Sequence, residues 1–177
     1  MKKNTSIELD FKVDKLTNSI ENVISGEVFE TVITQISQIK QVKKSDWLFD
    51  WHTQIEDQSK LVFAVSTTNN PLIIQGLICI TDKKDHIFMD LIENAKFNKG
   101  RKKLYRGVAG NLVAFACKTS FEKGYNGVVS FIAKTQLIEH YSEILGAKLF
   151  SKNRMFIDTK EAQFLTKKYF KTFKPWQ

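Results

Sequence analysis

The sequence predicts a mixed α/β fold of the α+β type, a mostly antiparallel central sheet with helices packed against it. Three observations lead there. Between residues 61 and 94 the apolar runs 61–66, 72–80 and 86–94 are divided by Asn69-Asn70-Pro71 and by the polar segment 81–85, the pattern of an antiparallel meander. Residues 109–122 then change period, with Leu112, Val113, Phe115, Ala116 and Cys117 in a helical stretch that Gly124 stops. Beyond that point short apolar runs alternate with helical ones. The order from residue 61 is therefore meander, helix, strand, helix, strand, helix.

At the start of the chain Ile7, Leu9, Phe11 and Val13 alternate with Glu8, Asp10, Lys12 and Asp14, as in a half-buried strand or an extended arm. Leu16, Ile20, Val23 and Ile24 fall at helical spacing ahead of Gly26. Phe29, Val32, Ile33, Ile36 and Ile39 resume that spacing, so two helical segments are predicted here. Trp47, Phe49 and Trp51 alternate with Leu48 and Asp50, which predicts a short aromatic strand. After the helix over 109–122, the Asn126-Gly127 turn leads into an apolar strand over 128–133. Leu137, Ile138, Tyr141, Ile144 and Leu145 return to helical spacing, and Gly146 stands where a left-handed C-cap belongs. Residues 154–158 predict another strand, and Ala162, Leu165, Tyr169 and Phe170 mark a last helix.

A chain of 177 residues, 42% hydrophobic and 26% charged, suits a single domain over 1–177 whose core needs no staple. With 8 Gly and 2 Pro it is neither collagenous nor linker-rich. Cys79 and Cys117 lie in apolar runs and read as buried free thiols, too few for a disulfide scaffold or a cysteine zinc site. His52 and His86 have no companions at ligand spacing, so no metal site is expected. Met1-Lys2-Lys3-Asn4-Thr5 is charged with no apolar stretch behind it, and no run approaches the ~20 residues needed to span a bilayer. The expectation is a cytoplasmic protein with no membrane partner.

The net charge of +8 is unevenly spread: residues 1–98 hold 11 Lys/Arg against 14 Asp/Glu, and residues 99–177 hold 16 against 5. A basic second half calls for a polyanionic partner, either nucleic acid or a phosphate-rich cofactor. Residues 98–110 narrow the choice. They read Asn-Lys-Gly-Arg-Lys-Lys-Leu-Tyr-Arg-Gly-Val-Ala-Gly and join a long strand to a helix. Small residues let backbone N–H groups approach a phosphate, the helix N-terminus adds partial positive charge, and the cations add charged hydrogen bonds. The Gly-Lys-Ser/Thr ending of a nucleotide-hydrolysing loop is missing.

Further along stands Tyr141 in a helix that ends Leu145-Gly146-Ala147. The strand, Gly-x-Ala turn, helix, strand and helix in this order resemble the GNAT acetyltransferases. Gly107-Val108-Ala109 matches the Gly-x-Gly/Ala part of that family's cofactor motif, and Tyr141 matches its helix tyrosine. Leu104 takes the place of the usual Gln/Arg, and Lys134 stands where many members have Asn. The resemblance covers residues 60–158, the motif-bearing core; residues 1–55 are an extension with no family motif. It implies a sheet with a splayed parallel strand pair, here 86–94 and 128–133, that admits acetyl-CoA as acyl donor for an amine acceptor. The cofactor-binding residues it implies are Asn94, Lys102, Lys103, Leu104, Tyr105, Arg106, Gly107, Val108, Ala109, Gly110 and Lys134.

An acyl transfer to an amine needs a proton donor for the departing thiolate and benefits from a base for the amine. The resemblance makes Tyr141 the donor. Asp90 and Glu93 are the candidate bases, and strict strand alternation would point them to opposite faces. The alternative to an enzyme is a non-enzymatic module of the same fold that binds acyl-CoA or nucleic acid. The tail Lys167-Lys168-Tyr169-Phe170-Lys171-Thr172-Phe173-Lys174 interleaves cations and aromatics but reads first as the amphipathic end of a helix, so nucleic acid is the less favoured partner. The acceptor, a small molecule or a peptide, is a cationic amine if the acidic residues of the first half line its side.

Overall fold

The computed structural model of the protein describes residues 7–175; Met1 to Thr5 lie outside them. Among the described residues there are ten strands and four α-helices. The large sheet runs β3 (Thr31–Ile36), β4 (Leu61–Thr67), β5 (Gly76–Asp82), β6 (Ile87–Asn94), β8 (Val129–Ile132), β10 (Arg154–Ile157) and β9 (Lys148–Ser151) in that spatial order. Its pairs are antiparallel except β6–β8, which is parallel. A second, three-stranded sheet joins β2 (Val28–Phe29), β1 (Ile20–Asn22) and β7 (Tyr105–Arg106). The predicted meander and the strands after it are all present, and the helices α2 (Val108–Glu122), α3 (Ile138–Leu145) and α4 (Thr159–Tyr169) lie where the periodicity puts them.

The first sixty residues depart from expectation. The helix expected over Leu16–Ile24 is replaced by β1 and a turn. Asn22 Oδ1 accepts from the N–H groups of Ile24 and Ser25, and the Ser19 hydroxyl donates to the Phe29 carbonyl, local bonds that compete with helix formation. The second expected helix is β3, the outer strand beside β4. Thr31, Val32, Ile33, Thr34 and Ile36 are β-branched, which disfavours a helix and suits a strand. The aromatic strand around Trp47 is instead a 3-10 turn at Lys44–Asp46 followed by helix α1 (Trp51–Glu56). Asp50 caps α1 by accepting from the Thr53 N–H at 3.3 Å, so the residue read as an alternating polar position is an N-cap.

The core divides at the sheet. One face packs α2, α3 and α4 against Ile78, Ile80, Met89 and Phe131; the other packs Trp47 and Trp51 against Val62, Cys79 and Leu91. Residues 7–19 form no regular strand but an extended arm that buries Leu9, Phe11 and Val13 in the first of these layers. Cys79 and Cys117 are both buried free thiols, as the sequence suggests, and burial pushes both pKa values far up. No helix of the described residues is long and apolar enough to cross a membrane.

Candidate active site

The only parallel pair among the described residues of the large sheet is short. β6 and β8 pair at Ile87–Val129 and Phe88–Ser130 and no further, although β6 continues to Asn94. Beyond Phe88 the two strands diverge and leave a gap. At one end of the gap begins α2, whose N-cap is Gly107, with φ +84° in the left-handed region that glycine adopts without penalty. α2 runs for 15 residues, so its first N–H groups carry a full helix dipole.

The N-terminal arm runs along the β8 side of this gap. The Leu9 N–H donates to the Ile132 carbonyl at 2.7 Å, and the Lys134 N–H donates to the Leu9 carbonyl at 2.9 Å, a parallel bridge to the end of β8. Phe11 packs on the Tyr141 ring, centroids 5.0 Å apart, and the Tyr141 hydroxyl donates to the Phe11 carbonyl at 2.6 Å. The Val13 N–H donates to His140 Nε2 at 3.0 Å. Asp14 then reaches the start of α2: one oxygen accepts from the Gly107 N–H at 3.3 Å, and the other lies 2.9 Å from Lys103 Nζ. Thr17 closes over Gly107. A Cβ at that position would collide with the Thr17 hydroxyl and the Ser19 carbonyl, and a Cβ at Gly110 would collide with the Tyr169 hydroxyl.

Between the arm and the end of β6 remains a cavity of about 460 Å³, lined on one side by Phe11, Lys12 and Asp14 and on the other by Leu48, Glu93 and Asn94. Glu93 is 2% exposed. Oε1 accepts from the Leu48 N–H at 2.7 Å and Lys99 Nζ at 2.8 Å; Oε2 accepts from the Phe49 N–H at 3.2 Å and Trp51 Nε1 at 2.7 Å. Burial pushes its pKa up, but Lys99, Trp51 and the two amides outweigh burial and leave it below the ordinary value. Four donors meet the roughly four lone-pair directions of one carboxylate, so Glu93 anchors the 48–51 segment here and has no lone pair left for an amine.

Asp90 and Glu93 do not face opposite ways. A β-bulge between Cys79 and Ile80 leaves Asp90 without a partner in β5, which shifts the alternation by one residue. Both carboxylates therefore reach the α1 side, Glu93 at Trp51 and Asp90 at Lys60, 3.5 Å away, whose Nζ also donates to Gln54 of α1. Asp90 also accepts from the Thr81 hydroxyl at 2.6 Å, and burial raises its pKa against the pull of Thr81 and Lys60. It does not line the cavity.

No protein-family model and no curated protein sequence matches the chain. Solved structures do. AtaTR bound with AcCoA superposes with a TM-score of 0.53 at 10% identity, covering 77% of this chain and 98% of that one. The AtaT–AtaR complex bound to DNA gives 0.55 at 14% identity over 76% and 98%. A spermidine N-acetyltransferase SpeG chimera from Vibrio cholerae and hSSAT gives 0.50 at 13% identity over 76% and 99%. The chain has the GNAT acetyltransferase fold.

In this fold β6 and β8 are the diverging parallel pair, and the loop expected above to be the cofactor turn ends at Gly107. That loop is pinned at its start by Asn98. The buried Asn98 amide donates to the carbonyl and side chain of Gln75 at 3.1 and 2.9 Å, and its oxygen accepts from the Tyr105 N–H. Val108, Ala109 and Gly110 are buried in the first turn of α2. Tyr105 packs edge-on against Phe29, and Arg106 Nε lies 3.0 Å from Glu21, so both belong to the small sheet. Leu104 and Lys102 are exposed, and Lys134 Nζ sits 3.4 Å from Asp10 of the arm. Tyr141 is fully buried; burial, with Asp10 adding to it, raises the pKa of its phenol, which therefore keeps its proton at neutral pH.

Whether these residues suit acetyl-CoA can be read from the same geometry. The gap, the α2 N-terminus and Lys99, Lys102 and Lys103 supply a slot, an anion cradle and cations. Asn94 Oδ1, buried at the cavity wall, has no hydrogen-bond partner among the described residues. The donor set fits the group, and the arm takes the β8 edge, the Gly107 N–H and Lys103 while leaving the cavity beside β6 open. Of Asp46, Asp50, Glu56, Asp57, Asp82, Asp85, Asp90 and Glu93, only Glu93 lines the cavity; Asp10 and Asp14 of the arm line it too, and each of the three carboxylates is paired with a lysine, Glu93 with Lys99, Asp10 with Lys134 and Asp14 with Lys103.

Proposed function

We propose that the protein is an acyl-CoA-dependent N-acyltransferase that moves acetyl from acetyl-CoA to an amine on a small molecule or peptide, in the cytoplasm. The observation that carries this is the β6–β8 pair, parallel for two residues and then open, with Gly107 and the α2 N-terminus at its mouth. Acetyl-CoA would supply the activated thioester carbonyl. The chain's part is to hold the phosphates with the amides of Gly107, Val108 and Ala109 and with Lys102 and Lys103. Tyr141 keeps its proton and is the donor for the leaving sulfur. Glu93, tied to Trp51 and Lys99, shapes the acceptor side, and neither it nor Asp90, tied to Lys60 away from the cavity, acts as the base. An amine acceptor accords with the spermidine N-acetyltransferase of the same fold, and two buried thiols accord with a reducing compartment.

One observation favours the alternative of a non-enzymatic module: the chain's own arm stands in the slot. The nucleic-acid form of that alternative draws less support, because Phe170 and Phe173 of the tail pack against the core and Lys118. Calorimetry with acetyl-CoA, CoA and a short RNA, followed by CoA-thiol release with a panel of polyamines, amino acids and basic peptides, separates the readings. Binding of acetyl-CoA with amine-dependent thiol release is expected. Binding of RNA with none of either CoA species would overturn the enzyme.

A further inference from the structure

The arm reproduces, with the chain's own atoms, the contacts the slot would offer a cofactor. Its backbone at Leu9 lies along β8, using Ile132 as acceptor and Lys134 as donor where the two strands part. Its Asp14 carboxylate takes the first N–H of the α2 cradle and the Lys103 ammonium, an anion where a phosphate would go. Its Phe11 carbonyl takes the only hydroxyl proton the proposed chemistry uses, that of Tyr141. Three separate features of the site are thus each met by one short segment.

We infer that residues 9–17 are an intramolecular plug, an autoinhibitory segment that acyl-CoA must displace; this rests on the acyltransferase reading above. The plug is held by the parallel bridge at Leu9, by the Asp10–Lys134 and Asp14–Lys103 pairs, and by three buried side chains, Leu9, Phe11 and Val13. Cofactor and arm compete for the same N–H of Gly107 and the same lysine. Apparent affinity for acyl-CoA is therefore the intrinsic affinity reduced by the fraction of molecules with the arm withdrawn. Withdrawal also frees the Tyr141 hydroxyl, so the same movement that opens the slot releases the acid.

The test uses the full chain in three forms: wild type, Asp14→Asn, and Leu9→Cys with Ala133→Cys. Leu9 and Ala133 are bridge partners, which puts their Cα atoms within disulfide range, and native Cys79 and Cys117 are buried out of reach. Acetyl-CoA should bind the wild type and raise hydrogen exchange at the Leu9 and Val13 amides while leaving β4 and β5 protected. Asp14→Asn, which loses one charged hydrogen bond of the plug, should bind acetyl-CoA about tenfold tighter. The oxidised double-cysteine protein should not bind, and reduction should restore binding. Equal binding by the oxidised and reduced forms overturns the plug and leaves the acyltransferase intact. Failure of the cysteines to join overturns the adjacency on which the plug depends. No binding by any form overturns both readings and makes the arm a permanent part of a GNAT-fold module.

Discussion

Replacing Glu93 by Gln tests whether this carboxylate is an anchor. The side chain is 2% exposed and accepts four hydrogen bonds, from Leu48, Phe49, Trp51 and Lys99. Gln offers one acceptor oxygen and sets an NH₂ group against two of the donors. Removing one partner of a buried ion pair costs about 3–5 kcal/mol, and Lys99, being 39% exposed, recovers water, so we take the low end, about 3 kcal/mol. At about 2–4 °C per kcal/mol for a domain of this size, the melting temperature should fall by roughly 6–12 °C at pH 7. The sign with pH follows from the lowered pKa. The stabilisation is full above the unfolded value, near 4.5, and is lost as pH falls through the lower folded value. Melting curves of the two proteins from pH 7 to pH 3 should therefore converge below about 4.5. A fall of less than 2 °C at pH 7, or a gap that stays constant into acid, would refute the anchor.

Asp90→Asn should behave in the opposite way. Burial raises the Asp90 pKa, the ionised form is disfavoured in the fold, and Asn keeps an acceptor for Thr81, so melting at pH 7 should drop by no more than the equivalent of about 1 kcal/mol; a larger drop would show that the Lys60 pair matters more than burial. Tyr141→Phe keeps the ring but leaves the buried Phe11 carbonyl without its donor, costing about 1–3 kcal/mol in thermal melts and, if Tyr141 is the acid, ~10²-fold in CoA-thiol release. Unchanged turnover would remove Tyr141 from the chemistry. Gly107→Asp should destabilise the fold, because a Cβ meets Thr17 and Ser19 at a left-handed φ, and calorimetry should find weaker acetyl-CoA binding, since the new carboxylate opposes phosphate. Undiminished affinity in a folded variant would remove the cradle from the site.

What the sequence discloses and what it hides follow from range. The strands between residues 61 and 94 and the helix after Gly107 are written in local period and turn residues, so they could be read directly. Gly146 shows the same locality: it takes φ +66° at the end of α3, as its place after Leu145 implies. The failures come where tertiary context decides. Val32, Ile33 and Ile36 have a spacing that fits a helix face, yet β-branching and an open sheet edge beside β4 make them a strand. The bulge at Asp90 cannot be seen from alternation, because its cause is the register of β5. At the candidate site, Gly107 and Tyr141 stand out in the sequence as motif residues. The Asp14 contacts with Gly107 and Lys103, the Asn98–Gln75 bonds and the Leu48, Phe49 and Trp51 donors to Glu93 do not, since they act across 23 to 93 positions in the chain.

The threading of the arm has a consequence for how the molecule comes to be made. The Phe11 carbonyl and the Tyr141 hydroxyl it accepts from are 130 positions apart. The arm leaves the ribosome well before its seat, which is built from β8, α2 and α3. Closing so long a loop is worthwhile only once that seat exists, so the arm, made before its seat, docks after it. On the plug proposal, the order of synthesis would leave an interval in which arm and ligand compete for the slot before Leu9, Phe11 and Val13 complete that layer of the core.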